Sequence, residues 1–458
     1  MYHLQKDISL KTNLIKKALS TPIFLNTLKM SSSNVVMYLL PLLVTPILSR
    51  LYSPEDFGEW GVFSSFIAIV TLAIFVGLEN AIVKVETEKL GNLIKVCIIC
   101  SVSLVTVTTL IFLLGHERGW SFFCDFPYTQ LLIAYFIAYI PYTIGYNLCN
   151  RFSKYTSLSL NNILQGGCQA FFRIVIALIG ITTFNGLILG TTIALYISAF
   201  FLMFSVKTCK VRTEQEKFNI TSIRQLIIEY KKFPLYDAPS SILSFAAFNL
   251  PTIILAEYFN KASIGCFSII LQLLLLPMSL IGSAMGKVYY QEICQEDDNS
   301  NNSNLTTITK KIFKVVTIIS ILPLLVLSCG GDKLIYLFLG NKWGTAGNVA
   351  LCLALWSFPT ILTQPLLPIF RYKTKQNILF FIDLSYFILG TGSILIGCIL
   401  HWPLMTILVF FSLCCFFAKS LLFLKINKLG NVQLSFFYKY IPLWIIAIVV
   451  YAIRLFYL

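Results

Sequence analysis

The chain carries the stretch LSRLYSPEDFG at residues 48–58, and the stretch LAEYFNKASIG at residues 255–265 follows the same pattern without a gap. Gly58 at the end of the first stretch matches Gly265 at the end of the second. Each stretch joins one long apolar segment to the next, and about 20 apolar helical residues cross the hydrocarbon core of a bilayer. The two stretches therefore lie at equivalent turns, and the chain divides into two halves that begin alike.

Apolar segments of similar length recur along the rest of the chain. We place twelve spans at residues 31–49, 60–83, 93–115, 127–148, 161–181, 184–206, 236–256, 263–286, 312–331, 346–370, 377–400 and 402–424. Of the 458 residues, 57% are hydrophobic and 12% are charged, and the mean hydropathy is +0.80. A soluble protein carries about twice that charged fraction. These features predict an all-α polytopic membrane protein.

Lys and Arg residues crowd into every second gap between the spans. With a cytoplasmic N-terminus, 28 of the 35 Lys and Arg residues fall in inside segments and five fall in outside loops. Basic loops stay on the cytoplasmic side of a membrane, so this alternation predicts a cytoplasmic N-terminus. It also explains the formal net charge of +15 without a nucleic-acid partner, because the cations are dispersed over short loops.

The longest basic connection divides the spans six and six. The predicted parts are a cytoplasmic N-terminal segment (1–30), an N-lobe with spans 1–6 (31–206), a basic cytoplasmic connection (207–233), a C-lobe with spans 7–12 (234–425) and a thirteenth candidate span (438–458). Because six is even, both halves enter the membrane in the same direction. The sequence thus predicts two six-helix lobes related by a pseudo-two-fold axis along the membrane normal.

Ionisable residues inside the spans are the strongest single-residue candidates for function, because an unpaired charge is costly in a bilayer. Arg173 lies well inside the fifth span, and we favour a role in a cavity over a structural ion pair. Three acids lie within or at the start of spans, namely Glu79, Asp237 and Asp383. For these acids a structural role is at least as well supported as a functional one. Arg50 and Lys287 are further cations at span ends.

Enzyme and metal-site signatures are absent from the sequence. It contains no P-loop, no GxSxG and no HExxH motif, so neither ATP hydrolysis nor these hydrolase chemistries are predicted. Cys97 and Cys100 form a CxxC pair without a His nearby, and a buried apolar role explains them better than a zinc site. The longest outside loop, near residues 331–345, is too short for an external catalytic domain.

Three stretches resemble the polysaccharide flippases, which are the Wzx-type O-antigen transporters of the MOP exporter superfamily. The family's turn of Arg-Leu-x-x-Pro-Glu-x-aromatic-Gly matches residues 50–58 within PLLVTPILSRLYSPEDFGEW (41–60). Residues 233–292 are similar to the start of the family's second lobe, and LFLGNKWGTAG (337–347) is similar to its Phe-x-Gly-x-x-Trp-x-x-Ala turn. The sequence departs from the family at 401–403, where HisTrpPro replaces the usual Pro-x-Tyr-Gly connection.

The resemblance implies a two-lobed bundle of twelve core helices in the bacterial inner membrane. It implies export of an undecaprenyl-pyrophosphate-linked oligosaccharide, such as an O-antigen or capsule repeat unit, without a cofactor. The candidate residues are Arg173, Arg50 and Lys287 for binding the substrate, and Asp383, Asp237 and Glu79 for coupling to H⁺ or Na⁺. Membrane lipids and proteins of polysaccharide assembly are the expected partners.

Three other functions are compatible with a polytopic chain. A multidrug exporter of the same superfamily would favour an acidic cavity for its cationic substrates. A membrane-bound O-antigen polymerase or ligase would need a larger periplasmic loop than this sequence has. A membrane scaffold without transport activity would not need Arg173 inside a span. The sequence does not identify the sugar.

Overall fold

The computed structural model describes residues 22–181, 183–207, 229–230, 234–235, 238–295 and 302–456, which form helices and turns without a β-strand. The long helices are α1 (Pro22–Leu51), α2 (Pro54–Ile74), α3 (Leu90–Glu117), α4 (Thr129–Arg151), α5 (Tyr155–Ile179), α6 (Gly186–Lys207), α7 (Ala238–Tyr258), α8 (Lys261–Gln295), α9 (Asn302–Val326), α10 (Ala346–Thr363), α11 (Gln376–Ile399), α12 (Leu404–Leu429) and α13 (Ile441–Phe456). Within this described part, ten helices are long and apolar enough to span a membrane. The all-α polytopic membrane fold is therefore confirmed.

The helices pack as two six-helix lobes with the same internal arrangement. In the N-lobe, α5 packs against α1 and α6, and α6 also packs against α4. In the C-lobe, α11 packs against α7 and α12, and α12 also packs against α10. Each pair in the C-lobe thus repeats a pair in the N-lobe with both helix numbers raised by six. The additional helix α13 packs against α9 and α10.

Two predicted segments extend beyond the described residues. Helix α1 begins at Pro22, so the last part of the predicted N-terminal segment continues the first span as one helix. Residues 1–21 lie outside the described part of the chain, and so do residues 208–228 and 231–233 of the predicted connection.

The second span is shorter than the sequence predicted, which was a segment over 60–83. Helix α2 ends at Ile74, and a 3₁₀ helix at Leu78–Val83 follows it. Between them Val76 and Gly77 have φ values of 53° and 77°, the left-handed conformation that commonly follows the end of an α-helix. Glu79 therefore lies in the turn after α2, and its predicted position inside the second span is wrong.

Two helices of the C-lobe are interrupted. Helix α9 continues through a π-helical turn at Leu327–Gly331 into a short helix at Asp332–Leu339. Helix α10 is followed by a 3₁₀ turn at Gln364–Leu366 and a short helix at Pro368–Tyr372, each with a Pro in its first two positions. Since a Pro is accepted at the first turn of a helix and disrupts the middle of one, these prolines divide the tenth span.

Helix α2 begins within the stretch at residues 48–58, and the residues around Pro54 stabilise the start of the helix. The Ser53 hydroxyl accepts a hydrogen bond from the Asp56 backbone N–H at 3.2 Å, and the Asp56 carboxylate accepts one from the Ser53 N–H at 2.8 Å. This reciprocal pattern is a capping box, and Pro54 occupies the first helical turn. The local sequence thus specifies where the chain turns back into the bundle.

The two lobes touch where α2 begins beside the start of α8. A Cβ atom at Gly58 would overlap the carbonyl oxygen of Lys261, and one at Gly265 would overlap the carbonyl oxygen of Pro54. Gly58 and Gly265 are equivalent positions of the repeat, and so are Pro54 and Lys261. The contact is therefore reciprocal, as expected across a two-fold axis. We call this end of the bundle the contact end, and the opposite end, which carries the turn at 371–375, the basic end.

Further contacts join the lobes at the contact end. The Trp343 indole N–H donates a hydrogen bond to the Ser49 carbonyl at 3.0 Å, and the Trp343 ring packs edge-on against Phe57 with centroids 5.1 Å apart. The Lys261 ammonium forms an ion pair of 2.9 Å with the Glu59 carboxylate of α2. The turn that contains Trp343 and the two repeated stretches therefore meet in one place.

Replacing Gly58 by Ala tests this contact. Away from a close contact, replacing Gly by Ala in a helix stabilises the folded protein by about 0.5–1 kcal/mol. Here the added methyl group must push the lobes apart, which costs about 1–3 kcal/mol of stability. We expect Gly58→Ala to lower the thermal unfolding midpoint of the purified protein, followed by tryptophan fluorescence. Gly167→Ala in α5 is the matched control because its Cβ would meet open space. Equal midpoints for the two variants would contradict the contact.

Candidate functional site

A cavity of about 430 Å³ lies between α2 of the N-lobe and α7, α8 and α10 of the C-lobe. Its polar lining consists of Ser64, Ser65, Asn249, Thr252, Ser268, Gln272, Ser279, Thr360 and Gln364. Its lining is mostly apolar, with the aromatic residues Trp60, Phe245 and Phe248 and the aliphatic residues Leu271, Leu275, Leu276 and Met278. None of the described residues that line it is ionisable. Hydroxyl and amide groups beside aromatic rings can bind the neutral, hydroxyl-rich part of a ligand.

Arg173 lies behind the N-lobe wall of this cavity. It is six residues before the end of α5 and only 4% exposed. Its Nε donates a hydrogen bond to the Leu187 carbonyl at 3.2 Å, and its Nη2 donates one to the Thr191 hydroxyl at 2.8 Å. Both acceptors belong to the first turns of α6. The guanidinium is thus held by neutral oxygens, and no carboxylate in the described part of the chain forms an ion pair with it.

The Trp60 ring separates the Arg173 guanidinium from the cavity. The guanidinium carbon lies 4.9 Å from the centroid of this ring, a distance at which a cation is attracted to the face of an indole. Because Trp60 also lines the cavity, its ring stands between the charge and the space that a ligand could occupy. Arg173 is therefore next to the cavity but does not line it in this conformation.

The backbone around Arg173 is arranged for close packing. A Cβ atom at Gly190 of α6 would lie 2.9 Å from the Arg173 backbone nitrogen, so only glycine lets the two helices approach this closely. The Tyr52 hydroxyl, just after α1, donates a hydrogen bond of 2.6 Å to the Arg173 carbonyl. Burial raises the pKa of Tyr52 to about 12, so this hydroxyl remains protonated and keeps its donor role.

A second buried cation, Lys419, lies in the C-lobe. Lys419 falls within the predicted twelfth span (402–424), and it lies within α12, ten residues before the helix ends, where it is 5% exposed. Its ammonium lies 3.7 Å from a carboxylate oxygen of Asp383 on α11. Asp383, predicted as an ion-coupling residue, is therefore one half of an intramembrane ion pair.

An aromatic layer also separates this pair from the cavity. The Lys419 ammonium lies 4.3 Å from the centroid of the Tyr386 ring, and the Trp356 indole N–H donates a hydrogen bond of 3.0 Å to the Tyr386 hydroxyl. The Tyr386 ring contacts Phe248, with centroids 5.7 Å apart. Since Phe248 lines the cavity, the Asp383–Lys419 pair lies two aromatic rings behind its wall.

The three cations predicted to bind the substrate do not lie together. Arg50 is exposed at the contact end, where it donates hydrogen bonds to the Pro46 carbonyl at 2.8 Å and the Leu337 carbonyl at 3.5 Å. Lys287 is exposed on α8, about 39 Å along this helix from its start at the rise of 1.5 Å per residue. Arg173 is in contact with Trp60, which lines the cavity.

Of the other two acids, the structure describes only Glu79, which does not line this cavity. Glu79 lies near Cys97 of α3 and Tyr139 of α4, inside the N-lobe. Asp237 lies outside the described residues. Of the two predicted ion-coupling acids that the structure describes, Asp383 is the one that lies beside the layer bordering the cavity.

Sequence comparison identifies the family of the chain. Residues 47–348 match the sequence profile of the family described as polysaccharide biosynthesis protein. This segment contains the repeated stretches, the cavity residues of α2, α7 and α8, and Arg173. No curated protein matches the chain in sequence.

Solved structures with the same fold are transporters at low sequence identity. An inward-facing multidrug resistance MATE family transporter of the MOP superfamily is similar with a TM-score of 0.66 and 14% identity, over 88% of this chain and 96% of that one. The lipid II flippase MurJ in an inward closed conformation is similar with a TM-score of 0.65 and 14% identity, over 94% of this chain and 98% of that one. An outward-facing multidrug resistance MATE family transporter is similar with a TM-score of 0.57 and 15% identity, over 89% of this chain and 95% of that one. At these identities the likeness shows the fold alone.

Asp383→Asn tests whether the buried ion pair supports the C-lobe. The substitution leaves the Lys419 ammonium buried without its carboxylate, which costs about 3–5 kcal/mol when a buried pair is broken. We expect a lower thermal unfolding midpoint in detergent, and we expect Asp383→Asn/Lys419→Met to recover most of the loss because both charges are then gone.

Asp332→Asn is the control for this pair. It breaks the ion pair between Asp332 and Arg454, which is shorter, at 2.9 Å, but whose cation is far more exposed than Lys419. An exposed pair contributes about 0–1 kcal/mol, so this variant should unfold near the parent. A double variant no more stable than Asp383→Asn would contradict the pairing.

Proposed function

Since the chain belongs to the polysaccharide biosynthesis protein family, we propose that it is a flippase for a lipid-linked oligosaccharide. The substrate is an undecaprenyl-pyrophosphate-linked repeat unit of an O-antigen or capsule, and the protein moves it across the bacterial inner membrane by alternating access. The proposal extends what is established, which is a multi-pass membrane protein with a transporter fold. It assigns the protein a transport role and no enzymatic step.

One observation carries the proposal, namely that the buried cation beside the cavity has no anionic partner among the described residues. A pyrophosphate is strongly anionic, and a guanidinium pairs with phosphate oxygens through two parallel N–H donors. The Nε and Nη2 groups of Arg173 donate hydrogen bonds to neutral oxygens in this conformation. Phosphate oxygens can replace these acceptors at the same two N–H donors. The neutral hydroxyl and amide lining of the cavity suits the sugar part of the same molecule.

The Trp60 ring makes this binding dependent on conformation. While the ring covers Arg173, the cavity presents neutral groups alone, and a phosphate reaches the guanidinium only after the ring moves. A ligand that binds one arrangement better than the other shifts the balance between them. Substrate loading and the rearrangement of the lobes are thereby coupled through Arg173 and Trp60.

The direction of loading follows from the predicted orientation. With a cytoplasmic N-terminus, the contact end faces the periplasm, so the reciprocal glycine contact closes the periplasmic side. The higher TM-score to an inward-facing transporter than to an outward-facing one, 0.66 against 0.57, supports the same state. The cavity then receives its substrate from the cytoplasmic side.

Energy for export comes from an ion gradient in this proposal. Protonation of Asp383 would cancel its charge and weaken its attraction to Lys419, which links proton binding to the packing of α11 against α12. Glu79 and Asp237 remain candidates for coupling to H⁺ or Na⁺, and proteins of polysaccharide assembly remain candidate partners that take up the exported unit.

The main alternative is a multidrug exporter of the same superfamily. Cationic drugs are bound by carboxylates, and the described residues that line the cavity include none. A deletion strain that becomes drug-sensitive but keeps its surface polysaccharide would favour this alternative. Loss of surface polysaccharide with unchanged drug resistance is the outcome that we expect.

Substitution of Arg173 tests the proposed substrate contact. We expect Arg173→Ala to reduce restoration of surface polysaccharide in a deletion strain by about tenfold or more, which corresponds to the loss of a charge-assisted hydrogen bond of roughly 1.5–3 kcal/mol. Arg173→Lys should retain part of the activity, because it keeps the charge but not the paired donors.

The control for Arg173 is Arg118→Ala, which removes an exposed cation after α3. Each variant must reach the membrane at the level of the parent, measured by immunoblot of membrane fractions. Normal activity in both Arg173→Ala and Arg173→Lys would overturn the assignment of Arg173.

The orientation is tested by reporter fusions. Alkaline phosphatase, which is active only in the periplasm, should be active when it is fused after Lys342 at the contact end and inactive after Lys375 at the basic end. A green fluorescent protein at the same positions should give the opposite pattern. Activity after Lys375 but not after Lys342 would reverse the orientation and the direction of loading.

A further inference from the structure

A second cavity, of about 390 Å³, lies at the basic end of the C-lobe and is lined mostly by lysines. Its lining consists of Lys373, Lys375, Ile378, Lys425, Lys428, Leu429 and Asn431. These residues come from two separate segments, the turn between α10 and α11 and the end of α12. We propose that this basic cavity binds a phosphate group, carried by an anionic phospholipid or free in solution.

The packing of α11 against α12 brings the two lysine-bearing segments together, and each segment has a local turn. In the first, the Lys375 N–H donates a hydrogen bond to the Phe370 carbonyl at 2.8 Å, and Thr374 has a φ of 52°. In the second, the Val432 N–H donates one to the Asn427 carbonyl at 3.0 Å. Each turn therefore closes on the helix before it, which holds its lysines at the mouth of the cavity.

The charge of the basic cavity is not balanced by the protein. None of its four lysines forms an ion pair with a carboxylate in the described part of the chain, and no acidic residue lines it. Four ammonium groups around one space repel each other, and a bound anion relieves this repulsion. Lys425 and Lys428 also stabilise the end of α12 through its dipole, but that role does not account for Lys373 and Lys375.

The position of the basic cavity favours a lipid headgroup as the source of the phosphate. It lies where α11 begins and α12 ends, so it is at the level of the membrane surface. Ile378 and Leu429 add an apolar side to the lysines, which matches a phosphate attached to a glycerol and acyl chains. Basic pockets between transmembrane helices bind anionic headgroups in this way. A bound headgroup would connect the α10–α11 turn to α12 and stabilise the C-lobe.

The test compares the full-length protein in nanodiscs of phosphatidylcholine with and without phosphatidylglycerol. The variant Lys375→Gln/Lys425→Gln/Lys428→Gln removes three charges from the basic cavity. The matched control Lys310→Gln/Lys311→Gln/Lys314→Gln removes three charges from α9, also near the basic end but outside this cavity. A third arm adds inorganic phosphate to the phosphatidylcholine nanodiscs. The measurement is the thermal unfolding midpoint, and Gln removes the charge but keeps a polar side chain only one atom shorter than that of Lys.

A lipid source predicts that phosphatidylglycerol raises the midpoint of the parent and of the control, and that the cavity variant loses most of this rise. A soluble source predicts the same pattern with inorganic phosphate in phosphatidylcholine. The proposal is overturned if neither addition raises the midpoint of the parent. It is also overturned if the cavity variant and the control lose the rise equally, because the effect is then general charge attraction. Neither result depends on the identity of the transported substrate.

Discussion

The reciprocal contact of Gly58 and Gly265 is the interaction on which the rest of the structure depends. It lets the starts of α2 and α8 touch backbone to backbone, and it places α2 of one lobe against α7 and α8 of the other. The central cavity lies between these same helices. Because Gly58 and Gly265 are equivalent positions of the repeat, each lobe contributes the same kind of backbone group to the contact.

The cost of charge in a bilayer explains how the rest of the site is arranged. Arg173 lies under the Trp60 ring in the N-lobe, and Lys419 lies under the Tyr386 ring in the C-lobe. In both lobes an aromatic ring attracts the cation and shields it from the cavity. Lys419 has a carboxylate partner, whereas Arg173 has none among the described residues, which makes Arg173 the group with unused capacity for an anion.

Several features of the fold were predicted from local sequence. Apolar length placed the spans, the match of Gly58 to Gly265 predicted two similar lobes, and burial of Arg173 followed from its position within an apolar segment. The predicted end of the second span was wrong, because the hydropathy of the Gly-Leu-Glu-Asn sequence at residues 77–80 does not distinguish a continuing helix from a turn. The left-handed backbone at Val76 and Gly77 ends α2 before Glu79, and hydropathy carries no signal for that conformation.

Hydropathy, charge alternation and capping residues act over one helix or one turn, so the order of the helices and their repeat can be derived from the chain without coordinates. The partners of the buried charges cannot be derived from the chain in this way, because each charge and its partner lie on different helices. Asp383 meets Lys419 of α12, and Arg173 meets Trp60 of α2 and Thr191 of α6. Whether a buried cation is paired, shielded or open to the cavity depends on how the helices pack. That packing decided which of the predicted residues belong to the site.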